Sequence, residues 1–176
     1  MTLTPDRRMA LVATVVIAAD QLTKLAVLRY LGYAEQREVI EGFFRFVHWG
    51  NTGAAWSLFH GNNELLAIVS LVALLALFLF RHHFETRTSL GQVALGLMFG
   101  GIVGNLADRL MESRRHVVDF IYFYVERRGG GEVGFPAFNV ADSAICIGVG
   151  LLFLLSCKAE PAAPAKSPAP ADTAKS

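Results

Sequence analysis

Four long apolar runs constrain this chain more than any other feature: residues 9–28, 65–80, 90–107 and 138–156. A helix needs about 20 residues to cross the hydrocarbon core of a bilayer, with some tolerance for tilt and local thinning. Three runs meet that length. The second is shorter, but Glu64 and Arg81 bracket it, and both side chains can reach outward to the headgroups. Of the 176 residues, 53% are hydrophobic and 18% charged, where a soluble domain carries about 25% charged residues. The expected fold is therefore an all-α membrane protein with four transmembrane helices, formed by one domain over residues 1–158. Residues 159–176 are mostly Pro, Ala, Lys and Ser with no large apolar side chain, and are expected to be a disordered tail. Arg7 and Arg8 before the first run give it the look of a signal peptide. Its continuation into Asp20-Gln-Leu-Thr-Lys24 instead predicts a retained first helix. A net charge of +1 gives no case for nucleic-acid binding, and Cys146 and Cys157 do not make a disulfide framework.

The connections differ in kind. Residues 31–63 have strand character at 38–41, 43–49 and 55–59, with turns at Gly42 and at Asn51-Thr-Gly53. Aromatic residues on both faces of the middle strand predict a small β-sheet at the lipid surface. Residues 111–136 form a second long connection, an interfacial segment whose most flexible point is Gly129-Gly-Gly131. Four crossings put these two connections on one side of the membrane. The N-terminus, the 81–89 link and the tail then lie on the other. Lys and Arg are nearly balanced between the sides, so the Arg7-Arg8 flank decides: both termini are expected in the cytoplasm and the sheet on the periplasmic side.

Polar residues inside or beside such helices are costly and call for pairing or function. Asp20 and Lys24, four apart on the first helix, read as a self-neutralising pair. Asn105, Asp108 and Arg109 share a face at the end of the third run. Asp119 lies among large apolar residues in Val117-Val-Asp-Phe-Ile121. Asp142 falls in the first turn of the fourth helix, with Asn139 as its cap. These clusters, with Asn51-Thr-Gly53, converge on one side at one depth. No His/Cys set has metal-ligand spacing, and no Ser has an evident His and acid partner. Asp119 and Asp142 are the simplest reactive set. Two close carboxylates share a proton, one acting as base on a water and the other as acid towards a carbonyl oxygen, as in an aspartic peptidase.

The chain resembles bacterial lipoprotein signal peptidase, also called signal peptidase II. The residues that carry the resemblance are Asp20-Gln-Leu-Thr-Lys24, Asn51-Thr-Gly-Ala-Ala-Trp56, Gly101-Ile-Val-Gly-Asn-Leu-Ala-Asp-Arg109, Val117-Val-Asp-Phe-Ile121 and Phe138-Asn-Val-Ala-Asp142, in that order along the chain. The resemblance implies an aspartic endopeptidase of the inner membrane, with Asp119 and Asp142 catalytic. Its substrate would be a prolipoprotein whose Cys carries a diacylglyceryl group, cut just before that Cys. It implies Asn51, Gly53, Asn105, Arg109 and Asn139 as substrate-binding residues and Asp20, Lys24 and Asp108 as supports. No cofactor and no metal are expected, and the partners are the prolipoprotein and membrane lipids, with the enzyme a monomer. Trp56, Ala107, Phe135 and a long 127–134 loop depart from the family's commoner pattern. The runner-up from another class is a small proton-coupled transporter subunit with Asp20 and Asp142 as relay groups. Its difficulty is that the acids lie near one interface and no internal repeat is evident.

Overall fold

A computed structural model describes residues 4–53, 61–84 and 88–158. Four helices dominate it: α1 (Pro5–Tyr30), α2 (Asn63–Phe80), α3 (Ser89–Leu110) and α4 (Val140–Lys158). Each is long and apolar enough to span a membrane. Thr4 caps α1 by accepting from the Arg7 N–H, and Pro5 occupies the first helical position, where its missing N–H costs nothing. Thr88 caps α3 through the Gly91 N–H.

α3 is the central helix. Half of its most apolar window is buried, against about a fifth of the corresponding window in each of the others, which leave their remaining surface to lipid. Small residues bring its neighbours close. A Cβ on Gly100 would lie 2.8 Å from the Ala13 carbonyl oxygen of α1, and one on Gly101 would lie 2.5 Å from the Ala141 carbonyl oxygen of α4. α3 thus meets α1 on one side and α4 on the other at backbone contact.

The α1–α2 and α3–α4 connections form a four-stranded antiparallel sheet, ordered β1 (Gln36–Ile40), β2 (Phe44–Asn51), β3 (Val117–Glu126), β4 (Glu132–Gly134). The first two strands fall close to 38–41 and 43–49. The strand expected at 55–59 lies outside the described residues, as do Trp56 and the tail. The 111–136 connection is more ordered than expected: its Val117–Glu126 stretch is the longest strand and sits in the middle of the sheet. Apart from Asp119, its run from Val117 to Val125 is wholly β-branched and aromatic, as a strand covered on both faces requires. Gly130 and Gly131, with φ of +89° and +81°, make the turn into β4. α4 begins two residues later than the apolar run because Phe138 still bridges Ile121 of β3.

An irregularity between Phe46 and Trp49 inserts an extra residue into β2, so that Trp49 pairs with Asp119 and Asn51 with Val117. Asn51 therefore lies diagonally across from Asp119 on the same face, within side-chain reach. The sheet occupies the end of the bundle at which α1 and α3 finish and α2 and α4 start.

Candidate active site

The site is built where α4 begins. Asn139 caps the helix: its Oδ1 accepts from the Asp142 N–H at 2.9 Å, while Asp142 Oδ2 accepts from the Asn139 N–H at 3.2 Å. This reciprocal arrangement is a capping box, and it fixes the Asp142 side chain over the first turn. With Oδ1 so engaged, the Asn139 Nδ2 points the other way and donates to Asp119 Oδ1 at 2.8 Å. One fully buried asparagine thus ties Asp119 of β3 to Asp142 of α4.

The remaining carboxylate oxygens have donors of their own. Asn51 Nδ2 donates to Asp119 Oδ2 at 2.9 Å, and Asn105 Nδ2 donates to Asp142 Oδ1 at 2.7 Å. Each of the four oxygens so receives an N–H. Asp119 is 3% exposed. Burial first, then the neighbouring Asp142 charge, push its carboxyl up to about 7 against the opposing hydrogen bonds from Asn51 and Asn139.

Behind the carboxylates lies a buried ionic network. Lys24 Nζ reaches Asp20 Oδ2 and Asp108 Oδ2, each at 2.8 Å, and donates to Asn105 Oδ1 at 2.9 Å. Asp20, Lys24 and Asp108 are 0% exposed, and Arg114 closes the network on Asp108. Two acids and two bases balance, which a buried cluster requires. The network also sets geometry. Asp20 Oδ1 accepts from the Ala141 N–H of α4 at 3.0 Å, and Asp108 Oδ2 accepts from the Val118 N–H, one residue before Asp119, at 3.4 Å. α1 and α3 thereby hold the two segments that carry the carboxylates.

Arg109 makes no direct hydrogen bond to either carboxylate among the described residues. It donates to the Gly53 carbonyl oxygen at 2.9 Å and to Asn63 Oδ1 at 3.2 Å, while Asn63 Nδ2 donates back to the Arg109 carbonyl oxygen at 3.0 Å. Gly53 N–H donates to Asn51 Oδ1 at 2.9 Å. Arg109 and Asn51 therefore hold the turn after β2 against the starts of α2 and the site. Three members of this framework escaped the sequence reading: Gln21, Asn63 and Arg114. Gln21 Nε2 reaches both Asp20 Oδ2 and Asp108 Oδ1, at 3.1 and 3.2 Å. It sits inside the Asp20–Lys24 segment, which was the available signal. Arg114 gave none, because the turn after α3 folds it back onto Asp108. His82 and His83 lie at the far end of the bundle, and Cys146 is on the exposed face of α4. Among the described residues no group of three or more His, Cys, Asp or Glu side chains could hold a metal ion.

A cavity of about 280 Å³ opens beside the carboxylates. Asn51, Gly53, Asn105, Arg109 and Asp142 line its polar end, and α2, α3 and α4 supply an apolar remainder.

The sequence profile described as "Signal peptidase (SPase) II" matches residues 12–158. The chain belongs to the signal peptidase II family. It is 38% identical over 144 residues to the lipoprotein signal peptidase of Geobacillus thermodenitrificans, covering 82% of this chain and 86% of that protein. It is 43% identical over 148 residues to that of Desulforapulum autotrophicum, covering 81% and 86%. A solved structure described as "Bacterial membrane enzyme structure by the in meso method at 2.3 A resolution" superposes with a TM-score of 0.70 at 33% identity, over 85% of this chain and 87% of that one. Signal peptidase II membership makes the protein a multi-pass membrane peptidase of lipoprotein processing and carries the four-helix bundle with its small sheet.

Proposed function

We propose that this signal peptidase II is an aspartic endopeptidase that cuts a prolipoprotein just before its diacylglyceryl-modified Cys, with Asp119 and Asp142 as the catalytic pair. The observation that carries the reading is Asn139, which ties Asp119 to Asp142, itself at the polar end of a cavity among the apolar helices. Two acids so placed share one proton. The protonated member donates to the scissile carbonyl oxygen while the ionised member takes a proton from a water whose oxygen bonds to the carbonyl carbon. The proton then passes to the leaving nitrogen as the C–N bond breaks.

The surrounding amides fit that exchange. One N–H on each carboxylate oxygen orients the lone pairs and tolerates either charge state. An Asp119 carboxyl at about 7 keeps a proton available near neutral pH. Arg109, Gly53 and Asn51 border the cavity where the substrate backbone would lie. The lipid on the substrate Cys holds the bond at the depth of the carboxylates, which lowers the entropic cost of bringing it there. Asp20, Lys24 and Asp108 act as supports, and their mutual engagement leaves Asp20 without the free carboxylate that a proton relay would use.

The test is cleavage of a lipidated precursor by purified enzyme. Asp119→Asn and Asp142→Asn should each lower turnover by roughly 10²–10⁴-fold or more, with the substrate still bound. Retained turnover in either variant overturns the pair. An unlipidated precursor should be cut very poorly, and equal cleavage of the two precursors would remove the lipid from the mechanism.

A further inference from the structure

The cavity beside the carboxylates continues into the membrane-spanning part of the bundle. Leu66, Val69, Ser70 and Ala73 of α2 line it, opposite Ile102 of α3 and Ile145 of α4. The four α2 positions follow the i, i+3, i+4, i+7 pattern of one helix face. Val69 lines the cavity and is also 53% exposed, so the cavity opens sideways towards lipid. Ala73 is ten residues from the start of α2, which places it about 15 Å along the helix from the sheet end.

Size decides what could enter. A three-turn helical segment about 10 Å across would need on the order of 1,200 Å³, far more than the 280 Å³ present. An extended alkyl chain has a contact diameter of about 4–5 Å. Over the roughly 10 Å of helix from Leu66 to Ala73 it fills roughly 170 Å³, which leaves the polar end of the cavity free. The dimensions and the lateral opening therefore suit one hydrocarbon chain and not a helical signal sequence.

Of the four small residues in the apolar part of α2 (Ala67, Ser70, Ala73 and Ala76), Ser70 and Ala73 are the two that line the cavity, at its two deepest positions on this helix. The Ser70 hydroxyl is satisfied by the Leu66 carbonyl oxygen at 2.9 Å, so no unpaired donor stands in the apolar space. We propose that this space receives one acyl chain of the diacylglyceryl group and that Ser70 and Ala73 set the length of chain it accepts. The inference rests on the peptidase reading above and adds a specificity determinant to it.

The experiment compares diacylglyceryl precursor peptides carrying long (C16) or short (C8) acyl chains, with wild type, Ser70→Leu, Ala73→Leu and the double variant in nanodiscs. Filling the cavity should lower kcat/KM for the long-chain substrate by about tenfold or more relative to the short-chain one, as an ill-fitting methylene or two does in other apolar pockets. Val72→Leu, on the lipid-facing side of the same helix and 60% exposed, should leave the ratio unchanged. Either single variant suffices for the measurement if the double variant does not fold. An unchanged long-to-short ratio in active variants overturns the proposal. So does a ratio that follows the bulk of signal-sequence residues instead of acyl length. Wild-type enzyme that cuts neither substrate would instead sink the peptidase reading itself.

Discussion

Asp119 is the residue at which the proposed chemistry and the stability of the fold are coupled. Its carboxyl is raised from an ordinary 3.8 to about 7 by burial and by the Asp142 charge. Between those values the folded protein binds more protons than the unfolded chain. The stabilising contribution is thus complete below about pH 3.8 and is lost as pH rises through 7. A shift of about three units corresponds to at most about 4 kcal/mol. Asp119→Asn removes this dependence while keeping the shape of the side chain. The variant should therefore unfold at a higher temperature than wild type at pH 8, with the gap closing towards pH 4. Thermal unfolding in detergent at the two pH values checks the sign, and a gap that widens at low pH contradicts it. Activity should fall along the same titration, because above about 7 the pair loses its shared proton. A rate profile with no inflection near neutral pH would separate Asp119 from the chemistry. At this scale the sequence was informative: a lone acid inside Val117–Ile121 and another in the first turn of α4 are costly residues that stand out. The bonds that join them through Asn139 were hidden, since they depend on which amide atom faces which strand.

Elements are held in place by residues buried behind the two carboxylates. Asp20 of α1 accepts from the first turn of α4, and Asp108 of α3 accepts from the strand residue before Asp119. Asp20→Ala removes a partner from a fully buried Lys24 and frees an α4 backbone N–H. Breaking such a pair costs about 3–5 kcal/mol, so the loss of thermal stability should exceed the loss in turnover of the fraction that remains folded. An unaltered melting temperature with abolished cleavage would reassign Asp20 to the chemistry. Gly100→Val tests the helix contact alone: its Cβ would meet α1 backbone at 2.8 Å, and the helices must part. Destabilisation is expected, and wild-type stability would show that α1 and α3 can separate freely. Helix number was legible because hydropathy reports the solvent of each segment. The central strand was less so, because Val117–Glu126 lacks the period-2 alternation of a half-exposed strand. Burial on both faces erases that signal. Pairing of β2 with β3 joins residues about 70 apart, and its register depends on an irregularity that no local pattern announces.

The whole molecule has a direction that follows from counting. Four spans put the end of α4 on the same side as the start of α1, and the sheet with both carboxylates on the opposite side. The number of crossings fixes this relation but not which side faces the cytoplasm. Arg7 and Arg8 flank the first helix, and the first helix usually dominates the positive-inside bias. The same end carries Arg81, whereas Arg114 and Arg45 on the sheet side are ion-paired with Asp108 and Glu132. Excluding the two ion-paired arginines lowers the net positive charge of the sheet side and favours the same orientation. Both termini are therefore expected in the cytoplasm, with the carboxylates at the outer leaflet, where a lipid-modified Cys emerging from the inner membrane would meet them. A reporter fused after Lys158 that is active only in the cytoplasm should give signal, and one active only outside it should stay silent. The reverse pattern would invert the molecule and move the cleavage site to the inner leaflet.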